Sequence, residues 1–259
     1  MRDFTESYTD TVRRLATAQK KAAPGAPAYS IHVNRPAGRL FAAAAFRAGL
    51  TPNGVTAISG IVTFTGIILI ATLPPGALAG IAIWLLLALG YALDSADGQV
   101  ARLRGGGSPS GEWLDHVVDS VKIVSIHLAV LVTTYRHFEL DEVWLLVPLG
   151  FTIVACGLFF AMILNDQLKA VHAATTGIRL PPPARSASLG RSLLVIPTDY
   201  GILCLVFVLL GMPTVFFAVY AFLFLANAGY FALAAVKWFR DMARLDSIIA
   251  NAEGSDVDR

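Results

Sequence analysis

The chain has 259 residues, of which 56% are hydrophobic and only 15% charged, and the formal net charge is +2. Soluble domains carry roughly 25% charged residues, so a mean hydropathy of +0.64 excludes an ordinary cytosolic domain and a disordered chain. The small net charge excludes a nucleic-acid binder driven by a basic surface.

In chain order, residues 1–30 read as a cytoplasmic lead-in, with Pro24 and Pro27 pointing to loose attachment. They hold no apolar run of the signal-peptide kind. Residues 31–49 mix Arg35, Arg39 and Arg47 with Leu40, Phe41 and Phe46, a pattern suited to an amphipathic helix at the cytoplasmic interface. Thr51-Pro52-Asn53 then turns the chain.

A helix crossing ~30 Å of hydrocarbon needs about 20 mostly apolar residues. Six segments qualify: 55–74, 77–96, 115–134, 143–164, 192–211 and 213–236. Pro74-Pro75-Gly76 and Gly211-Met212-Pro213 are helix breakers that make tight joints between apolar runs. The stretch 180–188, with its Pro-Pro-Pro run, reads as a cytoplasmic loop, and 239–259 as a cytoplasmic tail. Cys156 and Cys204 sit in apolar runs and read as buried small hydrophobes. The expected fold is therefore an all-α integral membrane protein of six transmembrane helices preceded by the interfacial helix, with 31–238 as the membrane domain.

Basic residues orient it. Of 20 Lys and Arg, 18 fall in 1–54, in the loops after the second and fourth segments, or in the tail. Arg136 is on the other side and Lys122 lies within the third segment. Both termini are thus expected in the cytoplasm.

Four carboxylates interrupt this apolar frame. Asp94 and Asp97 end the second segment, and Asp115 and Asp119 begin the third. Spacings of three and four residues put each pair on one helix face, and the Gly105-Gly106-Gly107 joint lets the pairs converge near the interface. Carboxylates in a membrane helix are costly, and four together repel one another, so they call for one or two divalent cations. Oxygen-only ligands select hard ions such as Mg²⁺, Mn²⁺ or Ca²⁺, which suit phosphoryl chemistry. Gly98 and Gly111 permit close backbone approach, Ala101 keeps the next turn small, and Arg102 offers a fork for phosphate. A cation transporter using the same cluster is the alternative of another class, though transport does not require the small residues at fixed offsets.

The string from Asp94 to Asp119 reads D-x2-D-G-x2-A-R-x8-G-x3-D-x3-D. It matches the signature of the CDP-alcohol phosphotransferases at every fixed position, and Thr51-Pro52-Asn53-x-Val55-Thr56 with six spans also resembles that family. The resemblance covers about residues 31–238. It implies transfer of a substituted phosphate group from a CDP-linked alcohol, with CDP-diacylglycerol as the working donor, to an acceptor alcohol with release of CMP, in phospholipid synthesis. A soluble CDP-alcohol with a lipid or polyol acceptor is the alternative within the family. By the same resemblance Asp94, Asp97, Asp115 and Asp119 hold Mg²⁺ or Mn²⁺, two ions. Asp119 also acts as general base, and Asp94, Asp97, Gly98, Ala101, Arg102, Gly111, Asp115, Asn53 and Thr56 form the CDP site. A homodimer is also implied by the resemblance, whereas a bacterial inner membrane is the working reading of the Arg-over-Lys, Ala-rich composition, and a cytoplasm-facing site that of the basic residues.

Several residues keep two readings. Thr51, Asn53 and Thr56 contact the nucleotide or cap a helix. Lys122 neutralises the cluster or touches an acceptor anion, or else snorkels. Lys169, Arg179, Arg185 and Arg191 bind an anionic acceptor or only mark topology. Asp199 with Thr198 is a buried polar pair or a substrate contact. His116, His127 and His172 are too scattered for a metal set.

Overall fold

The computed structural model describes residues 6–18, 27–177 and 195–257, with side chains to residue 247. All regular elements among them are helical. Helix α1 spans Tyr8–Thr17 and a π-turn at Ser30–Asn34 leads into α2, Arg35–Arg47. Then follow α3 (Pro52–Thr72), α4 (Ala77–Leu103), α5 (Pro109–His137) and α6 (Leu146–Thr176), the last entered through a 3-10 turn at Glu142–Leu145. Helix α7 is Tyr200–Val206 with a 3-10 extension Phe207–Gly211, and α8 runs Pro213–Val257.

The helix starts are written in their caps. The Gly54 N–H donates to Thr51 Oγ1 at 3.1 Å and the Gly111 N–H to Ser108 Oγ at 3.1 Å. Pro52 and Pro109 follow those caps at the first helical position, where a missing N–H is harmless. Both expected tight joints are present, with α4 beginning at Ala77 and α8 at Pro213. The α4–α5 joint turns at Gly105 and Gly106, whose φ of 97° and 135° disfavour a side chain.

Five helices are long and apolar enough to cross a membrane: α3, α4, α5, α6 with its entry turn, and α8. The chain is a multi-pass membrane protein. The expected fifth segment, 192–211, differs. Its described helical part is only Tyr200–Gly211, about 20 Å of rise with its 3-10 residues counted at their longer rise. Pro197 and the extended backbone of Asp199 stop the helix from starting earlier. Residues 191–194, like Arg179, Arg185 and the 180–188 loop, lie outside the described residues.

The main core joins α3, α4, α5, α7 and α8 around Ile70, Ile83, Leu87, Ile126, Phe207 and Tyr220. Small residues bring α3 and α4 close: Ser59 Oγ donates to the Gly90 carbonyl at 2.9 Å, and a Cβ on Gly66 would meet Leu87. One end of the bundle collects the start of α3, the end of α4 and the start of α5. Gln167 donating to Glu112 at 3.1 Å and Lys169 paired to Asp241 at 2.8 Å bring the later parts of α6 and α8 to that end. At the other end Gly211 abuts Ala77.

Three expectations need correction. The lead-in is not loose throughout: α1 docks on α2, burying Leu15 and Thr11, and Tyr8 Oη donates to the Leu40 carbonyl at 3.1 Å. Its amphipathic pattern supplies the apolar face that Pro24 and Pro27 gave no hint of. Residues expected as a separate tail continue α8 to Val257. Cys156 is exposed, not buried, because α6 turns most of its apolar surface outward; Cys204 is buried. Helix α2 packs on α4 through Gly38, Ala42, Ala43 and Ala45 while Leu40 stays half exposed.

Candidate active site

The end of α4 and the start of α5 carry the carboxylates, and the glycine joint folds them face to face. One carboxylate oxygen each from Asp94, Asp97 and Asp115 lies within 4.8 Å of the others. Such a donor set, three hard oxygens in a confined space, fits a divalent cation of the Mg²⁺ or Mn²⁺ type. Asp97 is buried and accepts a hydrogen bond from Thr56 Oγ1 at 2.6 Å, which fixes its orientation from α3. Thr56 thus serves the site through Asp97, while Thr51 caps α3.

Asp119 is not one of that trio but lies against Asp94. Lys122 Nζ lies 2.6 Å from Asp94 Oδ1 and 2.6 Å from Asp119 Oδ1, joining the second carboxylate of α5 to the first of α4. Lys122 is buried, so it neutralises the cluster and does not snorkel.

Beside the trio opens a cavity of about 1040 Å³. Its walls include Asn53, Thr56, Asp97, Gly98, Ala101, Arg102, Gly111 and Asp115, all expected in a CDP site; Asp94, expected with them, does not line it. A Cβ on Gly98 would meet only Arg102 Nη1, at 3.8 Å, so the missing side chain leaves room in the cavity. At Gly111 a Cβ would press on Asn53 Oδ1 at 3.1 Å and Ser108 Oγ at 3.2 Å, so this glycine lets α3 approach the α5 cap.

Sequence reasoning missed Arg104, Ser108 and Glu112 in the same wall. Arg104 donates to the Gly49 and Leu50 carbonyls at 3.0 and 2.6 Å, and its guanidinium lies 5.8 Å from the Phe46 ring centroid, tying α2 to the cavity rim. Its position two residues beyond Arg102 was the available signal.

Of the acceptor candidates, Lys122 is in the carboxylate cluster, whereas Lys169 is paired with Asp241 and does not line the cavity. Arg185 and Arg191 lie outside the described residues. Asp199 is a buried cap of α7, accepting from the Gly201 N–H at 2.9 Å and the Ser30 N–H at 2.9 Å. His127 Nδ1 is 2.7 Å from Tyr220 Oη, and His116 is 3.8 Å from Glu112, so neither joins the carboxylate trio.

Residues 49–239 match the CDP-alcohol phosphatidyltransferase family, and the chain belongs to that family of phosphotransferases. A cholinephosphotransferase 1 of Xenopus laevis is 33% identical over 88 residues, 32% of this chain but only 22% of that relative's length. Two crystal structures of Mycobacterium tuberculosis phosphatidylinositol phosphate synthase match the chain, and the one with CDP-DAG bound is similar in fold. It is 21% identical, with a TM-score of 0.51 over 80% of this chain and 94% of that one. The one with manganese and citrate is 22% identical, with a TM-score of 0.48 over 77% and 87%.

Proposed function

We propose that this chain transfers a substituted phosphate group from a CDP-linked alcohol to an acceptor hydroxyl, releasing CMP, in membrane lipid synthesis. The observation that carries the reading is the convergence of Asp94, Asp97 and Asp115 beside a cavity walled by Gly98, Arg102, Asn53 and Gly111.

In this reading Asp94, Asp97 and Asp115 hold Mg²⁺ or Mn²⁺. When bound, the ion neutralises pyrophosphate charge and stabilises the departing CMP. Arg102 supplies a fork for phosphate oxygens at the cavity wall, and the bare backbone at Gly98 admits the nucleotide closely. Thr56 holds Asp97 in the orientation that accepts the ion. Asp119, one turn deeper on α5 than Asp115, takes the proton of the attacking hydroxyl. The acceptor oxygen bonds to the phosphorus carrying the donor alcohol, and the bond from that phosphorus to CMP breaks.

CDP-diacylglycerol is the first donor reading, with a small polar alcohol as acceptor. A second reading, a soluble CDP-alcohol with a lipid acceptor, is favoured by one observation. The relative matched over 88 residues is named a cholinephosphotransferase. A further cavity of about 290 Å³, lined by Ile123, Ile126, Phe151, Leu158, Phe159 and Met162, lies along α5 beyond Lys122 and would suit an acyl chain of either a lipid donor or a lipid acceptor, so it serves both readings. A panel of CDP-diacylglycerol and soluble CDP-alcohols, each with labelled polar and lipid acceptors, separates the two by which pairing releases CMP. Release from none of them overturns the assignment.

The same reading takes residues 31–238 as the membrane domain, with α2 along the interface and 192–211 as a sixth crossing. The positive-inside distribution of 18 of 20 basic residues supports a cytoplasmic site and cytoplasmic termini in the inner membrane. A homodimer follows from the family resemblance.

A further inference from the structure

We propose that α1, which precedes the residues matched to the family, is a positioning element for the nucleotide wall and acts on the α2–α3 corner through Phe46 and Arg104. The proposal rests on the reading of the larger cavity as the CDP site.

Two layers join α1 to that wall. The inner layer is apolar. Thr11 and Leu15, four residues apart, share one face of α1 and are both buried. Leu15 packs in one cluster with Ala42, Ala43 and Ala45 of α2, Val55 of α3, and Ala96 and Val100 of α4. Val55 adjoins Thr56, Ala96 adjoins Asp97 and Val100 adjoins Ala101, and those three neighbours line the cavity. An anchor to the bilayer would turn Leu15 toward lipid, whereas here it is buried in protein behind the nucleotide wall.

The outer layer is polar. Arg14 pairs with the Glu6 carboxylate at 3.1 Å and Arg47 donates to the Glu6 carbonyl, which pins the start of α1 to the end of α2. The Phe46 ring is shared by two guanidinium groups, Arg14 at 5.6 Å and Arg104 at 5.8 Å from its centroid. Gly49 and Leu50 form the corner between α2 and α3. Their N–H groups donate back to the Phe46 and Ala45 carbonyls, and their own carbonyls accept from Arg104 Nη2. A charged donor makes stronger hydrogen bonds than a neutral one, so Arg104 fastens the corner to the end of α4. The corner leads directly into Thr51, the cap of α3, and Asn53, both in the cavity wall. Arg104 and Phe46 are therefore positioning residues for that wall, and α1 holds Phe46 in place.

The test titrates CDP, with Mn²⁺ present, into the purified full-length protein in lipid nanodiscs and follows CMP release by the same samples. Arg104→Gln and Phe46→Leu should each weaken CDP binding roughly 10-fold, within the range by which packed residues remote from a ligand modulate its site. The donor KM should rise in parallel, while kcat at saturating donor and the affinity for Mn²⁺ alone stay at the wild-type level. Leu15→Asp, once hydrogen exchange shows that the amides of residues 8–17 have opened, should also weaken CDP binding. Its combination with Phe46→Leu should weaken binding by less than the product of the single effects. Wild-type CDP affinity in Arg104→Gln, or in Leu15→Asp with α1 open, overturns the proposal. So do single effects that multiply in the double variant, or a loss of kcat and Mn²⁺ affinity alongside CDP in Arg104→Gln. If Leu15→Asp does not fold, Arg104→Gln and Phe46→Leu decide. Wild type that neither binds CDP nor releases CMP contradicts the CDP-site reading itself, an outcome distinct from binding that the variants leave unchanged.

Discussion

At the scale of single residues, the carboxylates divide by their contacts. Asp97 is held by Thr56 from a separate helix, and losing an orienting partner of a metal ligand typically weakens binding 10–100-fold. Thr56→Val should therefore weaken Mn²⁺ binding about 10-fold or more with the fold intact, measurable by calorimetric titration; unchanged affinity would show that the hydrogen bond is incidental. Asp94→Asn, Asp97→Asn and Asp115→Asn should lose donor binding and turnover together. Asp119→Asn should lose ~10²–10⁴-fold in turnover, the usual cost of a missing general base, while donor binding in a parallel titration stays close to wild type. Equal loss of binding in Asp119→Asn and Asp94→Asn would make Asp119 an ion ligand instead. The four aspartates were legible because spacings of three and four residues fix a helix face whatever the tertiary structure. The pairing of Lys169 with Asp241 was not, since it joins side chains 72 positions apart and depends on how α6 meets α8.

At the scale of elements, local signals and long-range ones again part company. Caps at Thr51 and Ser108, and breakers at Pro74-Pro75-Gly76, announce where helices start and stop. What α2 packs against is a tertiary matter: a mixed basic and apolar pattern suggested a membrane surface, yet its small residues are pressed on α4. At Gly38 a Cβ would lie 2.8 Å from Ser95 Oγ and 2.9 Å from the Ala92 carbonyl, within about a turn and a half of Asp97. Gly38→Val should thus push α2 off α4 and cost about 1–3 kcal/mol, read as a lower unfolding midpoint in detergent. A midpoint equal to wild type would mean that α2 does not rest there. The brevity of α7 was hidden because hydropathy averages over a window and does not register that Pro197 and Asp199 interrupt the helix inside an apolar run.

At the scale of the whole molecule, the carboxylate end of the bundle gathers the α3 start, the α4–α5 joint and the Lys169–Asp241 pair. That arrangement predicts one sidedness for the site. After replacement of Cys156 and Cys204, Gly107→Cys in the α4–α5 joint should be shielded from an impermeant thiol reagent applied to intact cells. Leu140→Cys, between α5 and α6, should be labelled. Equal labelling of both would refute the orientation drawn from the basic residues.

The central claim is that the Asp94, Asp97 and Asp115 trio serves metal-dependent transfer from a CDP-alcohol. Its most direct measurement is CMP release by the purified protein over the donor and acceptor panel, with Mg²⁺ or Mn²⁺ and again after chelation, beside Asp97→Asn. The account predicts CMP release with metal, none after chelation, recovery when metal is restored, and none from Asp97→Asn. Release that persists in chelator, or that Asp97→Asn supports at the wild-type rate, would contradict it.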